Sequence, residues 1–189
     1  MKKIVAAGLL ASLMGVASAQ VYVGVAGAQS HYDVDCGGAQ DCQKNGVGYK
    51  MFGGYRINPE IALEGAYVNF GKAEGVVPES GYLVGIEGRS KGLLLDGVYR
   101  LALGARISLV GRAGVAVLRN RIKGSIDSVS VAETKTSLRP HIGIGAELAL
   151  TQNVRFAAAA DFTQAEYEFR GVSDSTDLRM LSLGIQYSF

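Results

Sequence analysis

Over its last ten residues the chain alternates without a break. Leu181, Leu183, Ile185, Tyr187 and Phe189 interleave with Ser182, Gly184, Gln186 and Ser188. A two-residue period puts one set on one face of a β-strand and the other set on the opposite face. A strand with one wholly apolar face and one small, polar face suits two settings: a half-buried strand of a soluble protein, or the wall of a membrane barrel.

The same alternation recurs seven more times. Val21, Val23 and Val25 carry it at the start of the chain, and further runs span 47–57, 61–68, 93–101, 107–117, 141–150 and 154–162. Tight turns fall near residues 58 (Asn58-Pro59), 103 and 152. Longer polar stretches, 31–45, 71–90, 119–137 and 168–176, are expected as loops. Strands joined alternately by long and short connections describe an up-and-down barrel with short periplasmic turns and long outer loops. The expected fold is therefore all-β, an eight-stranded antiparallel up-and-down transmembrane β-barrel.

Periodicity alone leaves open which face is inside. The second face holds Gly, Ala, Ser and nearly every charge within the strands: Lys50, Arg56, Glu64, Asp96, Arg100, Arg112, Glu147, Arg155 and Asp161. Eight strands leave interior room only for side chains, and small residues make space there for long Arg and Glu. A soluble lipocalin-like barrel would be lined the other way and would usually carry a Trp, of which there is none. The charged face is expected inside, and lipid outside.

The amino-terminal residues agree with that compartment. Met1-Lys2-Lys3, the apolar run from Ile4 to Ala11 and Ala17-Ser18-Ala19 have the form of a cleaved signal peptide, residues 1–19, leaving 20–189 as one barrel domain. Of 19 basic residues two lie in the leader, so 17 remain against 17 acidic ones. That balance argues against a nucleic-acid partner. Gly is abundant (26 of 189) and Pro scarce (three), which disfavours both helices and disordered linkers. Cys36 and Cys42, in an oxidising compartment, are expected to form a disulfide across the first outer loop. No cofactor and no metal site is expected, since His31 falls outside any zinc spacing.

At Phe52-Gly53-Gly54-Tyr55-Arg56-Ile57-Asn58-Pro59 the sequence resembles the transmembrane domain of the OmpA family. The match continues through Glu64, Tyr67 and Gly71. It returns at Arg112-Ala113-Gly114, at Glu147 with Ala149 and Thr151, and at Met180 to Gly184 with Tyr187 and Phe189. The resemblance implies an interior network of acidic and basic side chains proposed in that family to act as a gate, with Glu64, Arg112 and Glu147 at matching positions. Two positions depart from the pattern: the family's gating Lys falls on Val98, and the Arg that partners its second Glu falls on Ala157. A partner-swapping gate therefore does not carry over, and Arg155 is the expected substitute partner of Glu147. The expected lumenal network is Glu64, Asp96, Arg112, Glu147 and Arg155. The resemblance also implies that Tyr187 and Phe189 are read by the barrel-assembly machinery. The chain is similar to stand-alone small barrels, so peptidoglycan binding is not expected.

Candidate chemistry is sparse. His141 is followed two residues later by Gly143, where outer-membrane acyl-chain enzymes would place a Ser, and Ser30, His31 and Asp33 are residue types common in loops. The chain is expected not to be an enzyme. Arg119, Arg121 and Lys123 are candidate contacts for lipopolysaccharide phosphates. The expected role is structural and surface-interactive: envelope integrity, with outer loops that meet lipopolysaccharide or host surface molecules, in a monomer embedded among outer-membrane lipids. The alternatives are a narrow ion-conducting pore and, behind it, a lipid-modifying enzyme.

Overall fold

The computed structural model describes residues 21–33, 41–79, 82–126, 129–169 and 172–189. The expected leader, 1–19, lies outside the described residues, as does Cys36; of Cys42 only the backbone is described.

The chain forms nine strands: β1 (Val21–Tyr32), β2 (Asp41–Gln43), β3 (Asn45–Arg56), β4 (Ile61–Glu79), β5 (Tyr82–Ala102), β6 (Ile107–Ile126), β7 (Val129–Ala149), β8 (Val154–Phe169) and β9 (Val172–Ser188). Eight of them build the wall, each antiparallel to the next, and β9 returns to β1 to close the ring. The closing register runs from Tyr22↔Ser188 to Tyr32↔Leu178, and the Phe189 N–H donates to the Val21 carbonyl at 3.1 Å. The three-residue β2 pairs only with β4.

The two faces separate as the alternation requires. Leu95 is 63% exposed on the outside while the next residue, Asp96, is 1% exposed in the lumen. Valine, leucine, isoleucine and tyrosine from every wall strand but β8, which supplies Phe156 and Phe162, cover the outer surface. Such a surface is stable only against hydrocarbon.

The short turns are fixed by their own residues. The Asn58 side-chain oxygen accepts the N–H of Glu60 at 2.9 Å and of Ile61 at 2.7 Å. Thr151 Oγ1 accepts from Val154 at 3.0 Å. Both are side chains that mimic a backbone turn.

The opposite rim differs from the sequence expectation. Most of 71–90, 119–137 and 168–176 is not loop but strand, because β4 to β9 run on as long hairpins. An antiparallel ladder satisfies its own N–H and C=O groups in any solvent. Pairing therefore continues after the outer face leaves the membrane, although polar residues then occupy both faces and the alternation fades. One irregularity interrupts these hairpins. The β4–β5 register slips between Asn69 and Lys72, and Gly71 sits there at φ 76°, a conformation a side chain would strain.

Candidate functional site

The lumen has two storeys. The lower one, toward the short turns, holds the charges. Arg112 Nε donates to Glu64 Oε1 at 3.0 Å, and the Tyr22 hydroxyl donates to Glu64 Oε2 at 2.8 Å. Arg100 grips Glu147 with two bonds, Nε to Oε2 at 3.1 Å and Nη2 to Oε1 at 3.0 Å. Lys50 Nζ lies 3.2 Å from both Asp161 oxygens. His141 stands between two carboxylates, Nδ1 at 2.7 Å from Asp96 Oδ1 and Nε2 at 3.4 Å from Asp161 Oδ1. All these side chains are 8% exposed or less, so each ion meets its partner rather than water. Glycines make the room: a Cβ on Gly54 would collide with the Tyr22 ring, and one on Gly143 would lie 2.7 Å from Asp161 Oδ1.

Three of the five expected network residues, Glu64, Arg112 and Glu147, thus lie in buried ion pairs in the lumen, and a fourth, Asp96, is buried against the His141 ring. Arg155 does not join them. Glu147 is taken by Arg100, and the buried Arg155 Nε has no hydrogen-bond partner among the described residues. In register Arg155 stands beside Ala149 and Gln186, nearer the turn rim than Glu147. Arg100 was already visible as a charge of the inner face. Its reach past β6 to β7 was not, because residue spacing gives neighbours along a strand and not across the bore.

The upper storey is largely apolar, with Ser30, Ser90 and Asn120 buried among its side chains, which the inner-face pattern did not suggest. Tyr32, Val68, Phe70, Leu118, Leu178 and Met180 are each 1% exposed or less and converge from four strands, β1, β4, β6 and β9. Phe70 and Leu118 lie just past the ends of strands expected from the sequence, and Leu178 just before the start of one. Continuing the two-residue count one step further would have found them.

Above the lipid belt the wall between β7 and β8 changes character. Their ladder ends at Ile142↔Phe162, although both strands continue. Pro140 has no N–H to offer, and side chains bridge the gap instead. Thr163 Oγ1 donates to the Pro140 carbonyl at 2.9 Å, and Asn120 Nδ2 donates to the Glu166 carbonyl at 2.8 Å. The Glu166 carboxylate accepts from Lys135 at 2.8 Å and from Arg139. The Lys135 hydrogen bond, and then the Arg139 charge, hold the Glu166 carboxyl below its usual range. A recess of about 440 Å³ opens beside this seam, between Pro140 and Phe162 on one side and Leu178 and Arg179 on the other.

The candidate lipopolysaccharide contacts lie on β6 rather than in a loop. Arg119 and Arg121 are exposed on the outer face; Lys123 is half-buried, opposite Glu87. Tyr187 and Phe189 face outward at the turn rim, with ring centroids 5.2 Å apart and edge to face. Ser30, His31 and Asp33 do not converge: Ser30 donates to the Phe70 carbonyl, the His31 ring meets Asn45 at 2.8 Å, and Asp33 faces Arg179 at 3.7 Å.

A family model described as the OmpA-like transmembrane domain matches residues 16–189. Among functionally curated proteins none matches the sequence significantly. Solved structures do match. Ail, the attachment invasion locus protein of Yersinia pestis, is 19% identical with a TM-score of 0.61, covering 92% of this chain and all of that one. A second Ail structure, in complex with the heparin analogue sucrose octasulfate, is 18% identical with a TM-score of 0.58, covering 92% and 100%. Neisserial surface protein A is 17% identical with a TM-score of 0.60, covering 89% and 97%. At these identities the likeness concerns the fold.

Proposed function

Because the chain belongs to the OmpA-like transmembrane domain family and is an outer-membrane β-barrel, we propose that it is a structural and surface-interacting protein of the cell envelope. The barrel wall anchors it, and the strand extensions beyond the lipid belt present its contact surface. The observation that supports this reading most is the filled lumen. Its charges are buried in pairs in the lower storey, and aliphatic and aromatic side chains cap them in the upper one. A plug of this kind favours a scaffold over a conduit, and among the described residues the side chains that His141 meets are the carboxylates Asp96 and Asp161.

The extensions carry the basic residues that would meet polyanions at the cell surface. Ail has been crystallised with a heparin analogue, and an analogous contact with lipopolysaccharide or sulfated host molecules fits the exposed Arg119 and Arg121. The test is a deletion strain assayed for envelope leakiness and host-cell binding, complemented by versions whose extensions are exchanged for those of an unrelated barrel. Loss of binding with the exchanged extensions, while the envelope stays tight, is the expected outcome. Steady single-channel current through the wild-type barrel in planar bilayers would instead favour a pore.

A further inference from the structure

The outer surface of β4, β5 and β6 carries an arrangement the barrel does not need for its own sake. Above the lipid belt the register sets Lys72 opposite Arg89, Arg89 opposite Arg121, and Lys91 opposite Arg119. All five side chains are exposed. Like charges directly across a ladder repel one another and weaken the pairing, and here three such pairs are stacked together. Glu87 answers Arg89 at 2.6 Å. Among the described residues, Lys91, Arg119 and Arg121 meet no carboxylate. The bulge between Asn69 and Lys72, with Gly71 at its bend, brings Lys72 into register with Arg89 and so completes the cluster. These cations rim a recess of about 480 Å³.

Directly below, on the same three strands, the surface turns apolar. Two residues down from Lys91 is Leu93, and two down from Arg119 is Val117. They open onto a trough of about 510 Å³ walled by Tyr67, Leu93, Leu95, Val115 and Val117, with Gly65 leaving its side open. A cluster of cations, of which Lys91, Arg119 and Arg121 meet no carboxylate among the described residues, is continuous with an apolar trough at the level where the membrane meets water, and this fits a ligand with an anionic head and hydrocarbon tails.

We propose that this face is a binding site for one phosphorylated, multiply acylated lipid of the outer leaflet, the chemistry of lipopolysaccharide. Lys72, Lys91, Arg119 and Arg121 hold its phosphates, and one acyl chain lies in the trough beside Gly65. The proposal deepens the surface role argued above and rests on it for the level of the membrane. It also corrects the sequence-based set of contacts: Lys91 and Lys72 enter, and Lys123, set against Glu87, leaves. Guanidinium groups suit phosphate through paired donors, and a lipid phosphate would convert three repulsive cross-strand pairs into an ion cluster.

The test uses the full barrel folded in detergent, with folding read separately from its heat-dependent electrophoretic mobility. Retention of bisphosphorylated hexa-acyl lipid A is measured by native mass spectrometry beside its dephosphorylated form. The wild type is expected to retain the phosphorylated lipid at least about tenfold better, and the combined variant Lys91→Glu, Arg119→Glu, Arg121→Glu to lose that preference while remaining folded. Gly65→Leu, which fills the trough, is expected to weaken lipid A retention and leave the binding of sucrose octasulfate unchanged. Equal retention of the two lipids by the folded wild type, or an unaltered preference in the charge-reversed barrel, overturns the site while leaving the broader surface role standing. Retention lost to Gly65→Leu for both lipid A and sucrose octasulfate also overturns it, by showing that the trough is not a separate acyl subsite.

Discussion

Arg100 on β5 and Glu147 on β7 form a two-bonded ion pair across the lumen, past the intervening strand β6. Each is 7% exposed or less, so the pair is held where neither charge has water to fall back on. Breaking a buried pair strands a charge, at a cost of about 3–5 kcal/mol.

Arg100→Ala is accordingly expected to destabilise the barrel by about 3–5 kcal/mol, and Arg155→Ala by less than about 1 kcal/mol, because Arg155 pairs with no carboxylate among the described residues. Urea unfolding in lipid vesicles measures both. Equal losses would mean that Glu147 exchanges between the two arginines.

Glu64 serves two donors at once, Arg112 and the Tyr22 hydroxyl. Tyr22→Phe is expected to cost about 1.5–3 kcal/mol, the range for a hydrogen bond to a charged group, and Glu64→Ala more, since it leaves Arg112 unpaired. An unchanged unfolding midpoint for Glu64→Ala would place that carboxylate in water.

The apolar upper storey should behave like the core of a soluble protein. Leu118→Ala is expected to cost about 2–5 kcal/mol. The double change Phe70→Ser, Leu118→Ser should admit water and raise the ion conductance of the barrel in planar bilayers. A double variant as silent as the wild type would show that the charged storey below seals the bore by itself.

The seam above Ile142 and Phe162 should respond to acid. The Glu166 carboxyl is held below its usual value by Lys135 and Arg139, so its bridging contribution is complete above that usual value. It is lost as pH falls through the lowered one. Spin labels at Leu138 and Gln164, both facing outward, should report a narrow distance distribution at neutral pH that broadens under acid. Glu166→Gln should be broad at every pH. A narrow distribution in that variant would assign the closure to Thr163 and Asn120 alone.

Removal of Phe189 is expected to lower the amount of barrel reaching the outer membrane by more than it lowers the stability of barrel folded in vitro. Quantified membrane levels beside urea unfolding of the truncated chain decide this. Normal levels would release Tyr187 and Phe189 from any part in assembly.

Within the belt the wall was legible because two solvents act on it. Leu93 and Leu95 answer to lipid, Asp96 to the lumen, and the alternation writes that difference into the sequence. Beyond the belt water lies on the outer side as well. Arg119, Asn120 and Arg121 then carry no contrast from which a strand could be read, although the backbone ladder continues through them. The lumenal ions were legible as a face but not as a set of partners. Which carboxylate Arg100 meets depends on how strands two apart lean together around the bore, and that relation leaves no trace in local spacing. The plug of Phe70, Leu118 and Leu178 was obscured for a related reason, since each falls where the outer residues have already turned polar.

The pairing of β1 with β9 joins the two wall strands that are furthest apart along the chain. Every wall strand is therefore gripped on both sides within the lipid belt, and none can peel away without breaking two ladders. Resistance to fraying is the gain, and the cost is kinetic. Until the ring is closed the sheet carries two raw edges, and the contact that closes it spans most of the sequence and so costs most to bring together. The chain is thus most vulnerable to pairing with a neighbour during the interval just before it becomes hardest to unravel, and an escort that shields those edges is needed for that interval alone.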